Sequence, residues 1–166
     1  MESVSFHPGT TERFINRLAV GQVAEGLGSG NTTGRAGNLE RLQECYRAIA
    51  SGDFTVMAAS MADDVDMELT GPSLVPVAGR WLGRDQVEAA SRANFARLAD
   101  QRAELLAVAA IGNDVVMFAR EQGRVRANGA VYDILWSQQY TFRDGLIMRI
   151  RGVFAAPGNG VEGGGV

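Results

Sequence analysis

The sequence predicts an α+β domain in which helices pack against a curved antiparallel sheet and enclose a mostly apolar interior, from about Asn38 to Phe154. Three observations carry this. Apolar residues recur at helical spacing in two stretches before residue 99. Beyond Ala103, runs alternating with period two are punctuated by Gly112-Asn113-Asp114, Asn128-Gly129 and Arg143-Asp144-Gly145, the pattern of consecutive hairpins. The chain has 166 residues and is 46% hydrophobic, which suits one domain with a proper core.

The elements follow in order. Thr11–Val20 can form a short helix with Phe14, Ile15 and Leu18 on one side. Residues 21–37 carry six glycines among small polar residues and read as a linker, so residues 1–37 are expected to be a flexible extension. Asn38 can cap the first helix of the domain, whose apolar side is Leu39, Leu42, Cys45, Tyr46 and Ile49. Gly52 ends it, and Asp53 can cap a second helix over 54–61. A strand is expected over 65–69, then a loop containing Pro76 and Gly79, then a third helix over 86–98. Four strands complete the domain, over 103–111, 115–125, 131–142 and 146–154. Residues 155–166 are glycine-rich and are expected to be a flexible tail.

Composition excludes several classes. Net charge is −3 with no basic stripe, so no nucleic-acid partner is expected. No apolar run reaches the ~18–20 residues of a membrane span, and no secretory leader is visible. The single cysteine, Cys45, excludes an internal disulfide and fits a cytoplasmic location. No His, Cys and carboxylate cluster has metal-ligand spacing, and no phosphate loop is present. No metal or cofactor is expected.

Alternation assigns the faces. Ile134, Trp136, Gln138, Tyr140 and Phe142 share one side of their strand. Met148, Ile150, Gly152 and Phe154 share one side of the next, and Val116, Phe118 and Arg120 one side of the strand before. These sets are expected to form the face beneath the helices, with Arg120 and Gln138 as its two polar residues. The other face mixes Met117, Leu135, Ile147 and Val153 with Ser137, Gln139, Thr141, Arg149 and Arg151, which suits a semi-polar homodimer interface.

The order helix, Gly52-Asp53, helix, Ala62-Asp63-Asp64, strand, helix and hairpins resembles the nuclear transport factor 2-like superfamily. The segment from Pro76 through Gly79-Arg80-Trp81-Leu82-Gly83 to Val87 looks like the loop entering the third helix of its SnoaL-like, ketosteroid isomerase-like branch. The segment from Tyr140 to Phe154 is similar to that branch's closing hairpin. The resemblance implies a cone-shaped, cystatin-like barrel, three N-terminal helices on a curved antiparallel sheet, often paired through the outer sheet face. It implies no single activity.

Two chemistries of that superfamily can be tested on the residues. Ketosteroid isomerases use a carboxylate base, a tyrosine and a protonated aspartate. The matching positions hold Leu69, Cys45 (with Tyr46 next to it) and Gln138. Limonene epoxide hydrolases use an aspartate–arginine–aspartate set, and the matching positions hold Arg120, Gln122 and Gly152. The acids of both sets are missing. Candidate catalytic residues are therefore the donors Arg120 and Gln138. The expected ligand-binding residues are Tyr46, Leu69, Trp81, Phe95, Phe118, Arg120, Trp136, Gln138, Tyr140 and Ile150. Trp81 can lid the mouth of the cone or plug its base, and Arg120 can instead pair with Asp133 or Glu68. Two functions remain open. One is isomerisation or cyclisation of a small, largely apolar carbonyl or polyketide-like molecule. The other is binding without catalysis, or service as an accessory subunit that uses the sheet as a partner surface.

Overall fold

The computed structural model describes residues 6–19, 22–23, 32–73 and 77–157. Four helices, α1 (Pro8–Ala19), α2 (Thr32–Ser51), α3 (Phe54–Ala59) and α4 (Arg84–Ala96), lie on one mixed sheet. Its strands are β1 (Gln22–Val23), β2 (Met61–Thr70), β3 (Gly79–Leu82), β4 (Leu98–Ile111), β5 (Asp114–Val125), β6 (Val131–Arg143) and β7 (Leu146–Ala155). They are ordered β1-β4-β5-β6-β7-β2-β3.

Local chemistry sets most boundaries. Gly52 takes a φ of 76° and closes α2 in the left-handed conformation that favours glycine. The Asp53 carboxylate then accepts from the Val56 amide at 2.9 Å and caps α3. Asn128 and Gly129 turn β5 into β6, the Asn128 side chain accepting from the Ala130 amide at 3.0 Å. Asp144 and Gly145 both take positive φ, 54° and 76°, as the tight turn between β6 and β7 demands.

Several expectations are corrected. The sheet is mixed rather than purely antiparallel. The three hairpin turns bring β7 back parallel to β2, and β1 adds in parallel to β4. The expected loop around Gly79 contains the edge strand β3, antiparallel to β2; Pro76 lies outside the described residues. Asn38 caps nothing. It is buried inside α2, which starts six residues earlier because it packs on α1 as well as on the sheet. Residues 8–19 are not a free extension: Phe14, Ile15 and Leu18 bury themselves in the core as α1 docks on α2 and β4. Of the expected linker, 22–23 form β1 and 32–37 open α2; residues 21 and 24–31, and the tail from 158 onward, lie outside the described residues.

Irregularities in strand register bend the sheet. Three of them fall between Ala99 and Arg102, between Leu105 and Ala107, and at Met148. The last turns both Ile147 and Ile150 inward, so Ile147 is core rather than outer face.

Candidate active site: an aromatic cavity inside the cone

The helices and the concave face of the sheet enclose a cavity of about 140 Å³. Its floor comes from β6 and β7, with Trp136, Gln138, Tyr140 and Ile150. One wall comes from β2 with Met67 and Leu69, another from α2 with Cys45 and Tyr46, and another from α4 with Phe95. Helix α1 lies across it and contributes Phe14, whose ring sits 5.0 Å from that of Tyr46 and 6.0 Å from that of Trp136.

A hydrogen-bonded chain crosses this cavity. Tyr140 donates to Gln138 Oε1, and the Tyr46 and Tyr140 hydroxyls lie 2.7 Å apart. The Tyr46 hydroxyl also reaches Gln138 Oε1, at 3.3 Å, so the two phenols and the amide oxygen form one hydrogen-bonded group. Burial pushes both phenols above their ordinary range, so they act as neutral donors. The thiol of Cys45 is pushed up to about 12 by the same burial, which keeps it protonated. With Oε1 fixed by tyrosine protons, Gln138 turns its Nε2 toward Gly152, where an added Cβ would lie 3.6 Å from it. The same added Cβ would meet Leu69 Cδ2 at 2.6 Å, so Leu69 and Gln138 fill the space beside Gly152. The Nε2 hydrogens have no partner among the described residues, and polarisation through the phenols strengthens them as donors.

Seven of the ten expected ligand-binding residues line the cavity: Tyr46, Leu69, Phe95, Trp136, Gln138, Tyr140 and Ile150. Three do not. Arg120 is opposite Leu135, not Gln138, and therefore points outward. There it holds Asp133 with Nε at 2.9 Å and with Nη2 on the other carboxylate oxygen. This is the internal pairing that the sequence left open, and it removes Arg120 from the candidate catalytic set. Phe118, two residues before it, is likewise outward and 54% exposed. Trp81 packs partly buried on the core from β3, with its ring over Gly79, without lining the cavity.

The misplaced face of β5 has one physical source. Val116, Phe118 and Arg120 are apolar enough to resemble an inner face, but the β5–β6 register puts Val115, Met117, Ala119 and Glu121 inside. Met117 is accordingly fully buried rather than part of the outer face. Counting outward from Asn128-Gly129 places an odd-numbered residue opposite Gln138, and that signal was present in the sequence.

Glu121 is thereby a cavity residue, and it was missed for the same reason. Its Oε1 accepts from Tyr132 at 2.7 Å and from Gln101 Nε2 at 3.0 Å. Gln101, 1% exposed, is turned inward by the irregularity between Ala99 and Arg102, where Asp100 takes a φ of 54°. A bulge of this kind has no signature in the alternation pattern. Chemically, the cavity offers amide and indole donors, two neutral phenols and one carboxylate on a mostly apolar wall that also carries Thr11, Ser91 and Asn94.

A cone of helices on a curved mixed sheet, closed over such a cavity, is the nuclear transport factor 2-like fold. The SnoaL-like domain model matches residues 42–150, and the chain belongs to that family. Solved structures agree on the fold. A protein described as a SnoaL-like polyketide cyclase from Jannaschia sp. CCS1 is 17% identical, with a TM-score of 0.65 over 76% of this chain and 91% of that one. TerC, co-crystallised with polyporic acid, is 20% identical, with a TM-score of 0.59 over 71% of this chain and 91% of that one. A protein with a ketosteroid isomerase-like fold from Catenulispora acidiphila DSM 44928, in complex with trimethylamine, is 12% identical, with a TM-score of 0.57 over 68% of this chain and 83% of that one. No curated protein matches the chain. Among the described residues no helix is long and apolar enough to cross a membrane.

Proposed function

We propose that the cavity binds a small, largely apolar carbonyl compound and promotes its isomerisation or cyclisation. The observation that carries this is the Tyr46–Tyr140–Gln138 chain, which ends in free amide hydrogens on an aromatic wall. A carbonyl oxygen placed on Gln138 Nε2 gains a hydrogen bond that strengthens as negative charge develops on it. The apolar walls hold the rest of the molecule in a reactive shape. The small molecules bound by TerC and by the Catenulispora neighbour support a ligand in this fold.

The test uses 2-acetylnaphthalene as probe. Titration followed by tryptophan fluorescence should show binding that Gln138→Leu weakens about tenfold, the worth of one hydrogen bond, while Arg120→Ala leaves it unchanged. Deuterium exchange at the probe's methyl group in heavy water, followed by NMR, should be faster with the protein than without it. Binding with no faster exchange would favour the second reading, a non-catalytic binder. One observation supports that reading: the Tyr46 and Tyr140 hydroxyls and Gln138 Oε1 already pair with one another, as in a purely structural network.

The outer sheet face carries Phe118 at 54%, Leu135 at 40% and Val153 at 55% exposure, next to the Arg120–Asp133 pair. We propose that a second copy of the chain covers it, as an isologous dimer.

A further inference from the structure

The polar cluster at the α1 end of the cavity is unlike the Tyr46–Tyr140–Gln138 chain. It presents acceptors. Glu121 is the only charged side chain among the described residues lining the cavity, and its hydrogen-bond partners among them are Tyr132 and Gln101 rather than an arginine. Tyr132 and Gln101 both donate to its Oε1, which fixes the carboxylate and leaves Oε2 with no hydrogen-bond partner among the described residues. The negative charge also fixes the Gln101 amide. Its Nε2 faces Glu121, and the other end of the amide, Oε1, is buried without a partner. Gln101 is held in this pose from both sides of its backbone. Its inward turn comes from the bulge at Asp100, and its carbonyl accepts from the His7 amide at 3.0 Å. Two unpaired acceptor oxygens, one of them anionic, therefore belong to neighbouring residues of one cluster. Around them the cavity wall is aromatic: Phe6, Phe14, Phe95 and Trp136.

Such a corner disfavours an anion and leaves a neutral apolar group facing unpaired oxygens. It favours a cation with more than one hydrogen to donate. The carboxylate supplies the counter-charge, the amide oxygen takes a second hydrogen bond, and the ring faces attract positive charge. A metal ion does not fit, because one carboxylate and one amide oxygen are too few of the 6–8 oxygen ligands calcium takes and too loose a set for magnesium.

We propose that Glu121 and Gln101 form a subsite for a primary or secondary ammonium group, so that the ligand of this cavity is a small lipophilic amine. This rests on the cavity being the ligand site, and it adds a recognition element at the opposite end from Gln138. Glu121 Oε2 and Gln101 Oε1 each accept one N–H, and the carbon skeleton lies along the aromatic wall toward Trp136.

The test compares 2-naphthylmethylamine, which is an ammonium ion at neutral pH, with the near-isosteric 2-naphthylmethanol on the full chain, with 2-acetylnaphthalene as reference. The amine should bind at least about tenfold more tightly than the alcohol, the size of one charge-assisted hydrogen bond. Glu121→Gln should remove that preference, bringing amine and alcohol to equal affinity. Gln101→Met, which keeps the volume and the aromatic surroundings, should reduce the preference with the carboxylate still in place. Equal binding of amine and alcohol while 2-acetylnaphthalene binds normally would overturn the subsite and leave the cavity reading standing. Survival of the amine preference in Glu121→Gln would overturn the subsite as well. Absence of binding by all three probes would overturn both.

Discussion

Asp66 shows how a single residue stabilises the rim of the cone without being buried. It accepts from Arg80 through both carboxylate oxygens and from Arg151 at 2.5 Å, joining β2, β3 and β7. Hydrogen bonds from Arg80 and then Arg151 hold its carboxyl at about 2, below the ordinary 3.8. Asp133 on the outer face is held at about 2 by Arg120 and then Gln122. Both folded-state values are depressed, so both contributions are present above the unfolded value near 4. They are lost as pH falls from there toward about 2. Urea unfolding of the wild type and Asp66→Asn across that range should show a stability gap at pH 6 that narrows below pH 4. A gap independent of pH would contradict the assignment. At the same scale, Arg120 and Glu121 are adjacent in sequence and have opposite fates, one in a surface ion pair and one in the cavity. They are consecutive residues of β5, so alternation puts them on opposite faces, and the register with β6 decides which faces inward.

Helix α1 lies outside the segment matched by the family model, yet it covers the cavity. Its apolar side was legible in the sequence as Phe14, Ile15 and Leu18; its docking was not, because glycines follow it and nothing local fixes where it packs. The structure gives it a partner in α2 and β4, with Phe14 only 4% exposed between Tyr46 and Trp136. Truncating a buried phenylalanine removes about 3–5 kcal/mol. Here that loss falls on one docked helix more than on the sheet. Phe14→Ala should therefore raise amide hydrogen exchange across residues 8–19 while the β5 and β6 amides keep their protection. Equal loss of protection throughout would mean that α1 unfolds only with the whole domain. The bulge at Asp100 is the other element-scale feature with a functional consequence, since it alone turns Gln101 inward.

For the whole molecule, the cone has an inner face buried around the cavity and an outer face with exposed apolar groups. Phe118, Leu135 and Val153 stand on strands β5, β6 and β7, which are neighbours in the sheet. Light scattering at micromolar concentration should give twice the 17.7 kDa chain mass, and Phe118→Asp should return it to one. A monomeric wild type would end the dimer proposal. Because Phe118 and Arg120 serve the outer face, that substitution should leave binding in the cavity intact.

Whatever depends on neighbours along the chain is written in the order of the residues. The helical spacing of α2 and α4, the Gly52–Asp53 break, the three hairpin turns and the aromatic β6 floor all follow from local conformational preference and alternation. So do Tyr46, Trp136, Gln138 and Tyr140 as cavity residues, because each lies on an unbroken period of its own element. Tertiary structure decided what depends on pairing between distant segments. The β5 register sent Arg120 out and Glu121 in, the bulges placed Gln101 and Ile147, β2 joined β7 in parallel, and α1 closed the cavity. Hydrophobic alternation gives each strand two faces but leaves which one turns inward to the hydrogen-bonded register with its neighbours. In β5 both faces are apolar enough for either choice, so only the folded sheet made it.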